Sequence, residues 1–259
     1  MRSLFIRSFR DEALVSNIHR ADGVFPWAAG VGLKRQLGTT IGDRNSGLER
    51  RAVVGRLELG RLELIVGPMR SNKTAELLRR VEIRRQYAKQ DVLLLKPSAD
   101  TKAAAGLVES RNMNGCGKME AVEFPYADVW SVMPILAERE SKIGKRVDCV
   151  AMDEAQFVAD LFLFTKRLLE SGHDVMVSGL ELDFRGMPFG EMLDLNWLVR
   201  MYAGNITELV AYCSCGAKAL YPQRLIDGKP APYDSPIIMA GDNYEPRCGE
   251  HFVLPGKPH

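Results

Sequence analysis

The 259-residue chain lacks any apolar run that could cross a bilayer: every hydrophobic stretch meets a charge, Gly or Pro within about ten positions, and a span needs roughly 18. It also lacks a strong net charge, with 35 Lys and Arg against 33 Asp and Glu, so no field argues for a nucleic-acid partner. Cysteine is scarce, at 5 residues, and Arg7, Arg10, Asp11 and Glu12 interrupt any secretory signal core, which speaks against a disulfide scaffold. An organelle transit peptide is poor in acids, whereas Asp11, Glu12, Asp22, Asp43 and Glu49 all fall in the first fifty positions. The expectation is a cytoplasmic protein with neither a membrane nor a nucleic-acid partner. Long internal repeats are missing too. The tandem pentamers beginning at Gly55 and Gly60 are far shorter than the roughly 20 to 50 residues of repeat architectures. What remains, 46% hydrophobic and 26% charged residues, suits one globular domain with an appendage.

The small net charge hides an uneven distribution. Residues 1–60 hold an excess of Lys and Arg, while the rest of the chain holds a slight excess of acids. Residues 1–57 show neither a period of 2 nor one of 3.6, and are read as a basic extension without regular structure.

Beyond it, strands and helices alternate. Leu62 to Val66, Val92 to Leu95, Val147 to Met152 and Asp174 to Ser178 read as buried strands. Thr74 to Ala88, Asp128 to Arg139 and Leu161 to Glu170 read as helices, the second of them kinked or broken by Pro134. Such alternation predicts an α/β fold with a mainly parallel sheet and helices on both faces. We expect an ATP-binding α/β domain over residues 58–205 and a smaller metal-binding part over 206–259. Ligands of open parallel sheets bind beyond the carboxyl ends of the strands, which directs attention to residues 67–74, 153–157 and 179–190.

The first of these, Gly67-Pro68-Met69-Arg70-Ser71-Asn72-Lys73-Thr74, follows the phosphate-loop pattern G-x-x-x-x-G-K-[ST] except at Asn72. In that pattern backbone N–H groups surround the phosphates, the Lys reaches the β and γ groups and the hydroxyl holds Mg²⁺. Asn tolerates the left-handed backbone better than most side chains, so it is a workable replacement for the second Gly. Alone the string is equally a strand-to-helix turn; its place between a buried strand and a helix favours the phosphate loop. Asp153 and Glu154 end another apolar strand, where a metal-holding acid is expected. Adjacent strand residues point to opposite sides, so one carboxylate can face the metal while Glu154 acts as a general base. Near the end of the chain, Cys213-Ser214-Cys215 and Cys248-Gly249-Glu250-His251 offer three thiolates and an imidazole, a set suited to tetrahedral structural zinc. Cys149, on a strand, reads as a small apolar filler, and His19, His173 and His259 as surface residues.

Together these strings, with Asp153-Glu154-Ala155-Gln156-Phe157 and Asp183-Phe184-Arg185-Gly186-Met187-Pro188-Phe189-Gly190, resemble the zinc-containing, tetrameric (type II) thymidine kinase family from about Leu62 to Phe252. The resemblance implies a P-loop, RecA-like fold with a C-terminal zinc-ribbon and lasso subdomain. It implies transfer of the ATP γ-phosphate to the 5′-hydroxyl of deoxythymidine, with Mg²⁺ and a structural Zn²⁺, in a homotetramer. By position, Gly67 to Thr74, Asp153, Glu154, Ala155, Gln156 and Arg111 would bind ATP. Met69, Phe157, Leu180, Phe184, Phe189 and Tyr244 would enclose the nucleoside. Cys213, Cys215, Cys248 and His251 would hold the zinc. Lys102 stands where the family carries an Arg, which loses the bidentate fork. Two rival readings are a non-catalytic zinc-ribbon binding protein that retains the P-loop fold and a P-loop ATPase with another acceptor.

Overall fold

Strands buried on both faces need continuous apolar runs, and those runs form the centre of this protein. The computed structural model describes residues 53–54, 57–98, 106–110, 117–237 and 243–258. The extension read over 1–57 lies outside them except for Val53, Val54 and Leu57. In chain order, β1 (Val53–Val54) pairs antiparallel with β2 (Leu57–Glu58). Then follow β3 (Leu62–Val66), α1 (Lys73–Gln86), β4 (Val92–Pro97), the antiparallel pair β5 (Leu107–Glu109) and β6 (Lys118–Glu120), and β7 (Val122–Phe124). Next come α2 (Val132–Ile143), β8 (Cys149–Met152), α3 (Leu161–Glu170), β9 (Asp174–Gly179), α4 (Leu195–Met201) and β10 (Asn205–Glu208). The last part holds β11 (Ala211–Tyr212), β12 (Lys218–Ala219), β13 (Tyr221–Ile226), β14 (Lys229–Pro230) and β15 (Tyr244–Arg247).

Six strands make one sheet in the order β10-β3-β9-β8-β4-β7, every neighbouring pair parallel. Alternation along the strands divides the core between the two faces. Leu64, Val66, Leu93, Leu95, Val150, Met152, Val175 and Val177 pack with Leu136 of α2, Phe164 and Leu168 of α3 and Leu198 of α4. Ile65, Leu94, Ala151 and Met176 pack with Leu77, Leu78 and Val81 of α1. The structure is therefore the mixed α/β fold expected, with helices on both faces. The sheet takes its edge strand β10 from residues 205–208, a short segment with exposed positions that the sequence pattern did not mark.

The helix expected from Asp128 is divided ahead of Pro134, into a 3-10 turn over Val129–Ser131 and α2 from Val132, which places Pro134 in the first turn of α2, where backbone N–H groups have no partner within the helix. His173 is no surface residue: it is buried, with Nε2 2.9 Å from Glu140 Oε1. It lies just before β9 in the covered part of the sheet, and a lone histidine carries no periodicity that would have disclosed this.

Candidate active site and metal centre

The end of β3 turns sharply into α1. Gly67 has φ 144°, and a Cβ there would lie 2.3 Å from the carbonyl oxygen of Leu209, so only glycine fits. Arg70 and Asn72 both adopt positive φ, at 63° and 66°, on either side of Ser71. Asn72 sits in the left-handed region, immediately before the first residue of α1. The loop thus curls around the N-terminus of a helix, where amides without helical partners favour an anion. Lys73 Nζ donates to the carbonyl of Pro68 at 2.8 Å, across the loop. The buried Ser71 hydroxyl has no hydrogen-bond partner. An orphaned hydroxyl inside a curl of amides fits a phosphate oxygen.

The sheet order brings the acid pair to this loop. β8 lies one strand away from β3, with β9 between, so their carboxyl ends are about 10 Å apart. Thr74, at the start of α1, closes the gap: its Oγ1 donates to Asp153 Oδ2 at 2.8 Å. Asp153 is buried, and Glu154 follows it with φ 50°, a costly conformation for a glutamate and of the kind that functional sites retain. The buried Gln156 fixes the glutamate from one side. Its Nε2 donates to Glu154 Oε2 at 2.6 Å, while its Oε1 accepts the Leu180 N–H at 3.0 Å. Ala155 is buried in the short 3-10 turn that connects the two.

Beside this turn lies a small apolar cavity of about 20 Å³. Met69 of the phosphate loop, Phe157, Leu180, Phe184, Phe189 and Tyr244 all line it, so six residues scattered over the sequence meet at one place. Phe157 and Phe189 pack edge to face with ring centres 5.1 Å apart. Of three further lining residues, Asp183 and Pro222 were not singled out as contacts in the sequence, while Ile237 falls in the stretch near residues 236–241 to which the family resemblance assigns recognition of the base. Asp183 at least belonged to a quoted string; Pro222 carries no local pattern. Asp183 accepts the N–H groups of Arg185 and Met187 through Oδ1, at 2.8 and 3.0 Å, which shapes the turn that carries Phe184. A second cavity adjoins Gly67 and Pro68 but is lined by Glu181 and Glu208. Burial, then the negative charge of Glu208, raises the Glu181 carboxyl above its ordinary range. The second cavity is the roomier, at about 390 Å³, while the first is the one walled by Met69 and the aromatic rings. Arg111 and Lys102 lie outside the described residues.

The Cys/His pairs are carried by two turns. Cys213 and Cys215 lie in the connection between β11 and β12, where Gly216 N–H donates to Cys213 O at 2.9 Å. Cys248 and His251 follow β15, with His251 N–H donating to Cys248 O at 3.2 Å. One ligand atom from each of the four lies within 4.8 Å of the others, so the cluster could hold a metal ion. Cys215 Sγ and Cys248 Sγ are 3.8 Å apart. Two thiolates bound tetrahedrally to zinc at about 2.3 Å would be separated by about that distance. Backbone N–H groups of Cys215 and Cys248 lower the Cys213 thiol to about 5.

A strand, a phosphate-type loop, a helix and an acid-tipped strand placed beside the loop define a P-loop α/β protein of the phosphotransferase kind, carrying in addition a separate Cys/His cluster. The particular family follows from comparison with known proteins. A family model described as thymidine kinase matches residues 60–252, most of the chain, and the chain belongs to the thymidine kinase family. The match spans the loop, the acid pair, the apolar cavity and the Cys/His cluster. The protein is accordingly a kinase, a transferase of phosphate. Among the described residues no helix is long and apolar enough to cross a membrane.

Proposed function

We propose that the chain transfers the γ-phosphate of ATP to the 5′-hydroxyl of deoxythymidine, and of deoxyuridine, giving the 5′-monophosphate and ADP. The observation that carries this reading is the junction at Met69. One residue of the phosphate loop forms part of the wall of the apolar cavity, so donor phosphates and an apolar base would meet end to end near Glu154.

In this reading the loop amides, Ser71 and Lys73 bind the triphosphate. Thr74 and Asp153, already hydrogen-bonded to each other, would hold Mg²⁺, which supplies charge neutralisation on the phosphates. The cavity rings take the base between apolar surfaces. Glu154 accepts the 5′-hydroxyl proton as that oxygen forms its bond to the γ-phosphorus; the bond to the β–γ bridging oxygen breaks, and ADP leaves with the electron pair. Because such transfer depends mainly on positioning and charge, these groups are a sufficient set. Cys213, Cys215, Cys248 and His251 would hold a structural zinc. The homotetramer and the ATP contact of Arg111 that the family resemblance implies belong to the same reading.

The test is ATP turnover against a panel of nucleosides, for the wild type and Glu154→Gln. Thymidine and deoxyuridine should be phosphorylated, and Glu154→Gln should lose about 10²- to 10⁴-fold in kcat with its circular dichroism unchanged. An active Glu154→Gln would refute the assignment of the base. ATP hydrolysis without any nucleoside product would favour the ATPase reading, and no turnover of ATP at all the non-catalytic one.

A further inference from the structure

Phe184, a fully buried wall of the apolar cavity, lies beneath two cations: the guanidinium carbons of Arg185 and Arg224 are 4.8 and 5.6 Å from its ring centre. Both arginines direct donors at one short segment, and Arg185 Nη1 also lies 3.5 Å from Asp183 Oδ2. Arg185 Nε donates to the carbonyl of Tyr233 and its Nη2 to that of Ser235, each at 2.8 Å. Arg224 Nη1 donates to the carbonyl of Pro236. That segment runs directly into Ile237, another wall of the same cavity. Arg224 also pairs through its backbone with Tyr244 across β13 and β15, and Tyr244 is a third wall.

An arginine as deeply buried as Arg224 is costly, and its Nη1 bond to Pro236 offsets only part of the lost hydration, because its buried Nε has no hydrogen-bond partner. Here the bonds go to carbonyls whose position decides where Ile237 stands. The planar fork of Arg185 fixes two carbonyls at once, a constraint that a lysine, as a point charge, does not reproduce. We propose that Arg185 and Arg224 are positioning residues for the acceptor: they seat residues 233–237 against Phe184 and so set how closely the cavity closes on the nucleoside. The proposal rests on the reading of this cavity as the nucleoside site.

The test uses the full chain, with steady-state kinetics in thymidine and in ATP for the wild type, Arg185→Gln, Arg185→Lys and Arg224→Lys. Arg185 is partly exposed, so its variants should keep their melting temperature within a few degrees while Arg224→Lys monitors the buried partner. Loss of charge-assisted bonds should raise the thymidine KM of Arg185→Gln about tenfold or more. Its ATP KM and kcat should change by less than about twofold, because the phosphate loop is untouched. Arg185→Lys should recover part of the loss, and Arg224→Lys should raise the thymidine KM in the same direction. If Arg185→Gln keeps the wild-type thymidine KM, or if both KM values rise equally, the proposal is overturned and the nucleoside reading stands. A wild type that phosphorylates no nucleoside would remove the reading, and the proposal with it.

Discussion

The central sheet and residues 211–258 are held together by different physics. Between Leu62 and Tyr202 the sheet buries whole leucine, isoleucine, valine and phenylalanine side chains on both faces, in two clusters divided by the strands themselves. Among the described residues from 211 onward, the buried hydrophobic positions are Ala211, Cys213, Ala219, Ala231, Tyr244 and Cys248, mostly small and including two cysteines of the Cys/His cluster. A segment with so little apolar surface to bury needs other fastenings. It has four: the Cys/His cluster, the antiparallel set β14-β13-β15, the stacked rings of Tyr221 and Phe252 at 4.5 Å, and the arginine contacts to residues 233–236. The difference fits the division of labour proposed above. A rigid apolar sheet presents the loop and the acids, and a lightly built segment lies over the nucleoside cavity, where a wall has to admit and release a ligand.

Three experiments break or sharpen this contrast. The largest effect is expected from metal removal, since structural zinc contributes on the order of 10 kcal/mol or more to small metal-dependent folds. Chelation, or Cys215→Ser, should abolish amide exchange protection in β13 and β15 while β8 and β9 remain protected. Elemental analysis should find one zinc per chain beforehand; a folded, active sample without zinc would remove the claim, and simultaneous loss of protection in both regions would erase the contrast.

The converse disturbance is Leu78→Ala, in the cluster under α1, where the side chain is fully buried. A cavity there should cost about 2 to 5 kcal/mol, read as a lower urea midpoint at unchanged slope. Zinc should stay bound until the whole chain unfolds. Release of zinc well before the sheet transition would show that the two regions are less coupled than the direct succession of β10 and β11 implies.

The smallest effect concerns the loop that joins the two sites. Asn72→Gly should leave activity near wild type, whereas Asn72→Val forces a β-branched side chain into positive φ at a cost of about 1 to 2 kcal/mol. That cost should appear as an ATP KM raised roughly tenfold, with the thymidine KM unchanged. An equal change in both would mean that the loop and the cavity move as one piece.

The two regions also differ in how much of them could be read beforehand. The strands Leu62–Val66 and Asp174–Gly179 and the helix Leu161–Glu170 were legible because burial on two faces writes an apolar run or a 3.6 period into the residues. The edge strand β10 was not, since three of its four positions are exposed and it carries no apolar run. In the lightly built region the Cys/His spacing announced a metal centre, but Arg224 and Pro222 have no local signature. Their importance comes from what they lie against.

The residues by themselves determined which groups could carry chemistry: a loop of eight with Lys73 and Thr74 at its end, an acid pair closing a strand, and two short ligand pairs. These are local properties, set by backbone preferences and spacing within a turn or a strand. Only the tertiary structure decided that Thr74 meets Asp153 across 79 positions and that Cys215 meets Cys248 across 33. It also decided that Arg224 of β13 joins Arg185 over the ring of Phe184. The order of strands in a sheet and the packing of side chains over it depend on interactions summed over the whole chain, and no window along the sequence contains them.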